Sequence, residues 1–150
     1  MMADLTEFLA RVSGGTFRER CRSICDELRR ADKRYDWVGI YWLERDTLAL
    51  GPWSGRHATE HTRIPVSEGI CGAAVREKST AIVDDVQSDP RYLACFLQTR
   101  SEIVVPIFAE GRVIGEIDVD GTEVGAFGES DKIFLAALAA NIGKDWPGRW

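Results

Sequence analysis

Gly115-Glu116-Ile117-Asp118-Val119-Asp120 is the stretch on which the fold turns. Acid and aliphatic residues alternate without a break, a period of two, which is the signature of a strand. Successive side chains of a strand point to opposite faces, so Glu116, Asp118 and Asp120 share one face and Ile117 and Val119 the other. Upstream, Glu102-Ile103-Val104-Val105-Pro106-Ile107-Phe108 has the same β-branched and apolar character, and Glu110-Gly111 between the two has the composition of a tight turn. An antiparallel hairpin of strands 102–108 and 113–120 is therefore expected, with acids on one face.

Working outward, Trp37-Val38-Gly39-Ile40-Tyr41-Trp42-Leu43 reads as a further strand. Arg45-Asp46 makes its turn and Thr47-Leu48-Ala49-Leu50 the return. Residues 51–61, with Pro52 and Gly55, read as a loop, residues 63–66 as a short extended piece and residues 81–83 as a short strand. Helical spacing of apolar residues predicts helices over 5–12, 17–34, 70–76 and 129–144. Thr16 with Glu19 three residues on has the spacing of a capping box. Hairpins in the middle and helices towards both ends predict an α+β fold. It has a central antiparallel sheet with helices packed on one face and a ligand pocket on the other. The expected division is one domain over 1–150: N-terminal helices over 5–34, sheet and pocket over 36–120, and the C-terminal helix over 129–144.

The 150 residues include 45% hydrophobic and 29% charged side chains, an ordinary globular mixture, with a formal net charge of -5. That balance argues against non-specific nucleic-acid binding, which needs an excess of Lys and Arg. The first ten residues carry Asp4 and Glu7 and do not resemble a signal peptide, and no apolar run has the length of a membrane span. A cytoplasmic location, no membrane partner and reduced cysteines are the expectation.

Three features could carry chemistry. Cys71 lies at the first turn of a predicted helix, where a helix N-terminus would favour the thiolate. Cys95 lies past a proline-containing loop. Spacing alone favours reading both as small buried hydrophobes. Cys21 and Cys25 share the apolar face of a helix and read as core. With only His57 and His61 to join them and no C-x-x-C pair, no metal site is expected. The acid row is the second feature. Alternation alone reads it as a solvated face. The other reading is a pocket for an ammonium group, with one acid raised in pKa enough to donate a proton and Glu102 facing the same space. The third is Trp37 with Tyr41, four apart and so on one strand face, either core or a pocket wall.

Taken in order, Asp36-Trp37-Val38-Gly39-Ile40-Tyr41, Leu50-Gly51-Pro52, Arg63-Ile64-Pro65, Gly69-Ile70-Cys71-Gly72, Ala94-Cys95, Ser101-Glu102-Ile103-Val104-Val105-Pro106 and residues 115–120 resemble the GAF-fold free methionine-(R)-sulfoxide reductases. The likeness runs from about Tyr35 to Asp131. It implies a nucleophilic Cys95, a nearby Cys71, acids Glu102, Asp118 and Asp120 that hold the substrate and help protonate the sulfoxide oxygen, and aromatic walls from Trp37 and Tyr41. It implies no cofactor. Two positions depart from the family: His61 stands where another cysteine is usual, and Phe96 where Asp usually follows the nucleophile. Cys71 or an external thiol is then left to resolve an oxidised Cys95, with a thioredoxin-like dithiol as final reductant. The rival expectation is a non-catalytic, small-molecule-sensing GAF domain that regulates a partner protein. A third is a structural or homodimerising module that uses the terminal helices, with Trp146 and Trp150 in an exposed-looking tail.

Overall fold

The computed structural model describes residues 4–94 and 96–150. Its elements are α1 (Leu5–Arg11), α2 (Phe17–Ala31), β1 (Trp37–Glu44), β2 (Thr47–Gly55), β3 (Arg63–Pro65), α3 (Gly69–Glu77), β4 (Ala81–Val83), β5 (Ser101–Ala109), β6 (Arg112–Gly121) and α4 (Glu129–Lys144), with a short 3-10 turn at Val86–Ser88. The strands form a six-stranded sheet in the order β3-β2-β1-β6-β5-β4, and every pairing is antiparallel. The β5–β6 hairpin closes through Glu110 and Gly111, both at positive φ (51° and 77°), as a two-residue hairpin turn requires.

Period two sorts the side chains. Val38, Ile40 and Trp42 of β1, Ile103, Val105 and Ile107 of β5, and Ile117 and Val119 of β6 all enter one core. There they meet Phe8 of α1, Cys21, Ile24, Cys25 and Leu28 of α2, and Leu135, Leu138 and Ile142 of α4. The alternate residues Trp37, Tyr41 and Val104 enter a second core, under α3. Three helices therefore cover one face, and α3 with the loops around it covers the other. Cys21 and Cys25 are buried in the first core, as their spacing predicted.

The capping box at the start of α2 is present: Glu19 N–H donates to Thr16 Oγ1 at 3.1 Å and Thr16 N–H to Glu19 Oε2 at 2.8 Å. The helix ends at Ala31 rather than running to residue 34. Asp32 adopts extended backbone and its carboxylate accepts from Arg34 N–H (3.0 Å) and the Arg34 guanidinium (2.6 Å), a local bond that competes with helical continuation. Strand β2 likewise continues to Gly55, through residues that read as loop. Between Gly39↔Trp53 and Tyr41↔Leu50 the register slips by one residue, a bulge that accommodates Pro52. β3 pairs only with residues 47–49 of β2, so the N–H that Pro52 lacks faces no partner strand.

The C-terminal tail is not free. Trp146 and Trp150 stack on Trp42 at ring-centre distances of 4.8 and 5.2 Å, and the Arg18 guanidinium lies 4.8 Å from the Trp150 ring. Two tryptophans that look exposed in the sequence thus extend the first core. Among the described residues no helix is long and apolar enough to cross a membrane.

Candidate functional site

The acidic face of β6 is covered, not solvated. Its neighbours in register are Trp37↔Asp120, Gly39↔Asp118 and Tyr41↔Glu116 on β1, and Glu102↔Asp120, Val104↔Asp118 and Pro106↔Glu116 on β5. Relative exposure is 0% for Glu116, 2% for Asp118 and Asp120, and 4% for Glu102, which overturns the reading of a solvated row. The four acids, Trp37 and Tyr41 occupy one sheet face, and α3 lies over them. Alternation places the acids side by side; what buries them is a segment of chain remote in sequence.

Such a cluster is electrostatically expensive. One carboxylate oxygen each of Asp118 and Asp120 (Oδ1) has no hydrogen-bond partner among the described residues. Loss of water raises Glu116, Asp118 and Asp120 above the usual carboxylate range, and the Asp118 charge raises Glu116 and Asp120 further. Hydrogen bonds of Asp118 and Asp120 with Glu102, and of the Cys71 thiol with Glu116 and Asp118, oppose this only in part. A hydrogen bond between two carboxyls needs a proton on one of them, so the row stores protons. Among the described residues no Lys or Arg charge acts on Glu116, Asp118, Asp120 or Cys71.

Cys71 sits in the first turn of α3 and is buried over the same acids. Of the two readings of Cys71, its burial and raised pKa favour the buried thiol over a thiolate at the helix N-terminus. Desolvation and the charges of Asp118, Glu116 and Glu102 push the thiol well above its ordinary value, so Cys71 is a neutral S–H. Its sulfur and one oxygen each of Glu102 and Asp118 lie within 4.8 Å of one another. These three side chains, with Ile64 and Leu93, line a cavity of about 10 Å³.

The aromatic wall is built on glycine. The Trp37 ring lies over Gly39 and Gly55, where any Cβ would collide with it, and stacks on Trp53 at 6.3 Å and 13°. Trp37 Nε1–H is buried without a partner among the described residues. Tyr41 Oη–H donates to the carbonyl of His61 at 2.7 Å, and a ring nitrogen of His61 lies 3.0 Å from the carbonyl of Ala94. Phe96 faces Trp37 at 6.0 Å. The two positions that depart from the resemblance therefore both contribute contacts at this site. Cys95 itself lies outside the described residues. Sequence reasoning missed Leu93 and Trp53, because an isolated Leu in a loop and a Trp in a presumed loop carry no periodic signal.

A family model described as GAF domain matches residues 15–144. This chain belongs to the GAF domain family. Within it, the GAF chain is 39% identical over 109 residues to the free methionine-R-sulfoxide reductase of Escherichia coli, covering 73% of this chain and 65% of that protein. It spans less than two thirds of the length of the first curated relatives it matches. Among solved structures, the GAF chain superposes on the type II free methionine-R-sulfoxide reductase of Thermoplasma acidophilum with a TM-score of 0.83 at 38% identity, covering 94% of both chains. On the enzyme from Neisseria meningitidis, solved in complex with its substrate, the TM-score is 0.87 at 35% identity, covering 94% of this chain and 84% of that one.

Proposed function

We propose that this GAF chain, acting as one domain over 1–150, is a thiol-dependent reductase of free methionine-(R)-sulfoxide with Cys95 as nucleophile. The observation that carries the reading is the enclosed acid row, Glu102, Glu116, Asp118 and Asp120, under α3 and beside Trp37, in which no Lys or Arg of the described residues acts on Glu116, Asp118 or Asp120. Burying Glu116, Asp118 and Asp120 together with no Lys or Arg of the described residues to offset their charge is a cost that folding alone gives no reason to bear. An ammonium group supplied by an amino acid offsets it. The similarity to enzymes named for this substrate supports the same choice.

In the proposed reaction the Cys95 thiolate attacks the sulfoxide sulfur while Glu102 or Asp118 delivers a proton to the oxygen. The attack makes a transient S–S bond; transfer of the protonated oxygen to the Cys95 sulfur breaks that bond and the substrate's S–O bond, and one electron pair is left on the methionine sulfur. The oxygen leaves with the proton on Cys95, so methionine is reduced and Cys95 becomes a sulfenic acid. A second thiol displaces water from that sulfenic acid and forms a disulfide, which an external dithiol reduces by exchange. Acids kept protonated by burial suit the donor role. Asp118 and Asp120 hold the ammonium group, and Trp37 and Tyr41 flank the thioether chain. Cys71, held as a thiol, is a poor attacking group, which favours an external dithiol of the thioredoxin type as resolving agent. Because the enclosed volume is far smaller than an amino acid, binding requires α3 and Leu93 to yield around the ligand.

The test is consumption of free methionine-(R)-sulfoxide with dithiothreitol as reductant. Wild type is expected to turn over and Cys95→Ser to show no measurable rate. Asp118→Asn is expected to lose about 10²-fold or more in kcat/KM. Binding of the sulfoxide without any Cys95-dependent turnover would overturn the proposal.

A further inference from the structure

We infer that Cys71, Glu102 and Asp118 form a binding site for a single thiophilic divalent cation of the zinc class. A sulfur and two carboxylate oxygens come from three separate elements, α3, β5 and β6, yet lie within 4.8 Å of one another. A tetrahedral zinc ion, with bonds of about 2.3 Å to sulfur and about 2.0–2.2 Å to oxygen, spaces its ligands by about 3.3–3.6 Å. The cluster reaches that spacing by closing through about an ångström, within the range of side-chain adjustment.

The second observation is independent of the cluster's composition. Asp118 Oδ1 is buried and has no partner among the described residues, and its side chain lines the same small cavity as Cys71 and Glu102. A cavity of about 10 Å³ takes one ion or one water and nothing larger. With Glu116 and Asp120 close behind, a doubly positive ion meets more compensating charge here than a water molecule does. Binding replaces the Cys71 S–H bond by a sulfur–metal bond and releases that proton, together with any proton held on the two carboxyls, so the ion and the amino-acid substrate of the proposed reaction exclude one another at Glu102 and Asp118. The sequence did not expose this set, because Cys71, Glu102 and Asp118 have no ligand spacing along the chain and meet only through sheet register and the crossing of α3.

The experiment is an anaerobic titration of the reduced protein with cobalt(II), followed by the thiolate-to-cobalt charge-transfer absorption and checked by competition with zinc. Wild type and Cys95→Ser are expected to bind one equivalent with the same band. Cys71→Ser is expected to lose the band, and Asp118→Asn and Glu102→Gln to keep it with affinity weakened at least about tenfold. Absence of the band in wild type, or its survival in Cys71→Ser, would overturn the inference. If Cys71→Ser fails to fold by circular dichroism, Asp118→Asn decides, and unchanged affinity in that folded variant has the same force. No readout depends on turnover, so loss of the reductase reading would leave this result intact.

Discussion

The two faces of the sheet are made by the same strands and solve opposite problems. On one, Ile103, Val105, Ile107, Ile117 and Val119 meet three helices in an apolar core. On the other, one residue out of step, Glu102, Glu116, Asp118 and Asp120 are buried just as deeply beneath α3. The first face gains stability from every apolar contact. The second gives some of it back, since Glu116, Asp118 and Asp120 are desolvated with no Lys or Arg of the described residues acting on them. The difference teaches that burial by itself does not mark a core: the chemistry of what is buried separates the part that holds the molecule together from the part poised to receive a ligand.

The sharpest way to break the comparison is to damage the helix-covered face. Trp42→Ala removes a buried ring that Trp146, Trp150 and Phe17 all contact, and is expected to cost about 3–5 kcal/mol by urea unfolding. A cost below 1 kcal/mol would remove the tail from the core. On the acid face, Gly39→Ala drives a methyl group into the Trp37 ring and is expected to cost about 1–3 kcal/mol, with a change in tryptophan fluorescence as the ring is displaced.

Acids elsewhere sharpen the contrast. Asp131, at the start of α4, accepts from Arg34 at 2.7 Å, from Tyr35 Oη–H at 2.9 Å and from Gly128 N–H at 3.0 Å. Against the upward push of burial, these bonds hold its carboxyl below the usual range. Asp131→Asn is expected to cost about 1–3 kcal/mol at neutral pH. The two regions then differ in the sign of their pH dependence. Asp131 contributes stability above the unfolded carboxylate pKa of about 4, and loses it as pH falls. Glu116, Asp118 and Asp120, with raised folded values, retain protons that the unfolded chain has released, so they contribute most at acid pH and lose that contribution as pH rises through those raised values. Urea titrations across pH should show Asp131→Asn flattening the acid limb and Asp118→Asn flattening the decline at higher pH. Identical slopes in the two variants would refute the assignment. The smallest effect follows from the same logic: at neutral pH Asp118→Asn should change stability by less than about 1 kcal/mol, and towards a gain, while removing function.

Much of this architecture is legible in residue order. Period two in 115–120 and in 102–108 set both strands and which residues share a face, because the pleat allows no other arrangement. Thr16 and Glu19 marked the start of α2 through backbone groups three residues away. Where local signals compete with distant ones, legibility ends. Pro52 and Gly55 read as loop because a bulge opposite Ile40 cannot be seen from β2 alone, and helix α2 stopped early because Asp32 bonds to Arg34.

For the site, the chain by itself determined that Glu116, Asp118 and Asp120 lie in one row, with Glu102 expected beside them, and that Trp37 and Tyr41 point the same way. It could not determine whether that row met water, because exposure is decided by what lies above a sheet face. Only the tertiary structure lowered α3 onto the acids, decided between a buried thiol and a thiolate at Cys71 in favour of the neutral group, and brought its sulfur to Glu102 and Asp118. The physical reason is one of range. Strand periodicity is fixed by bonds between neighbouring residues, whereas burial, and every pKa that follows from it, is fixed by packing between segments far apart in the chain.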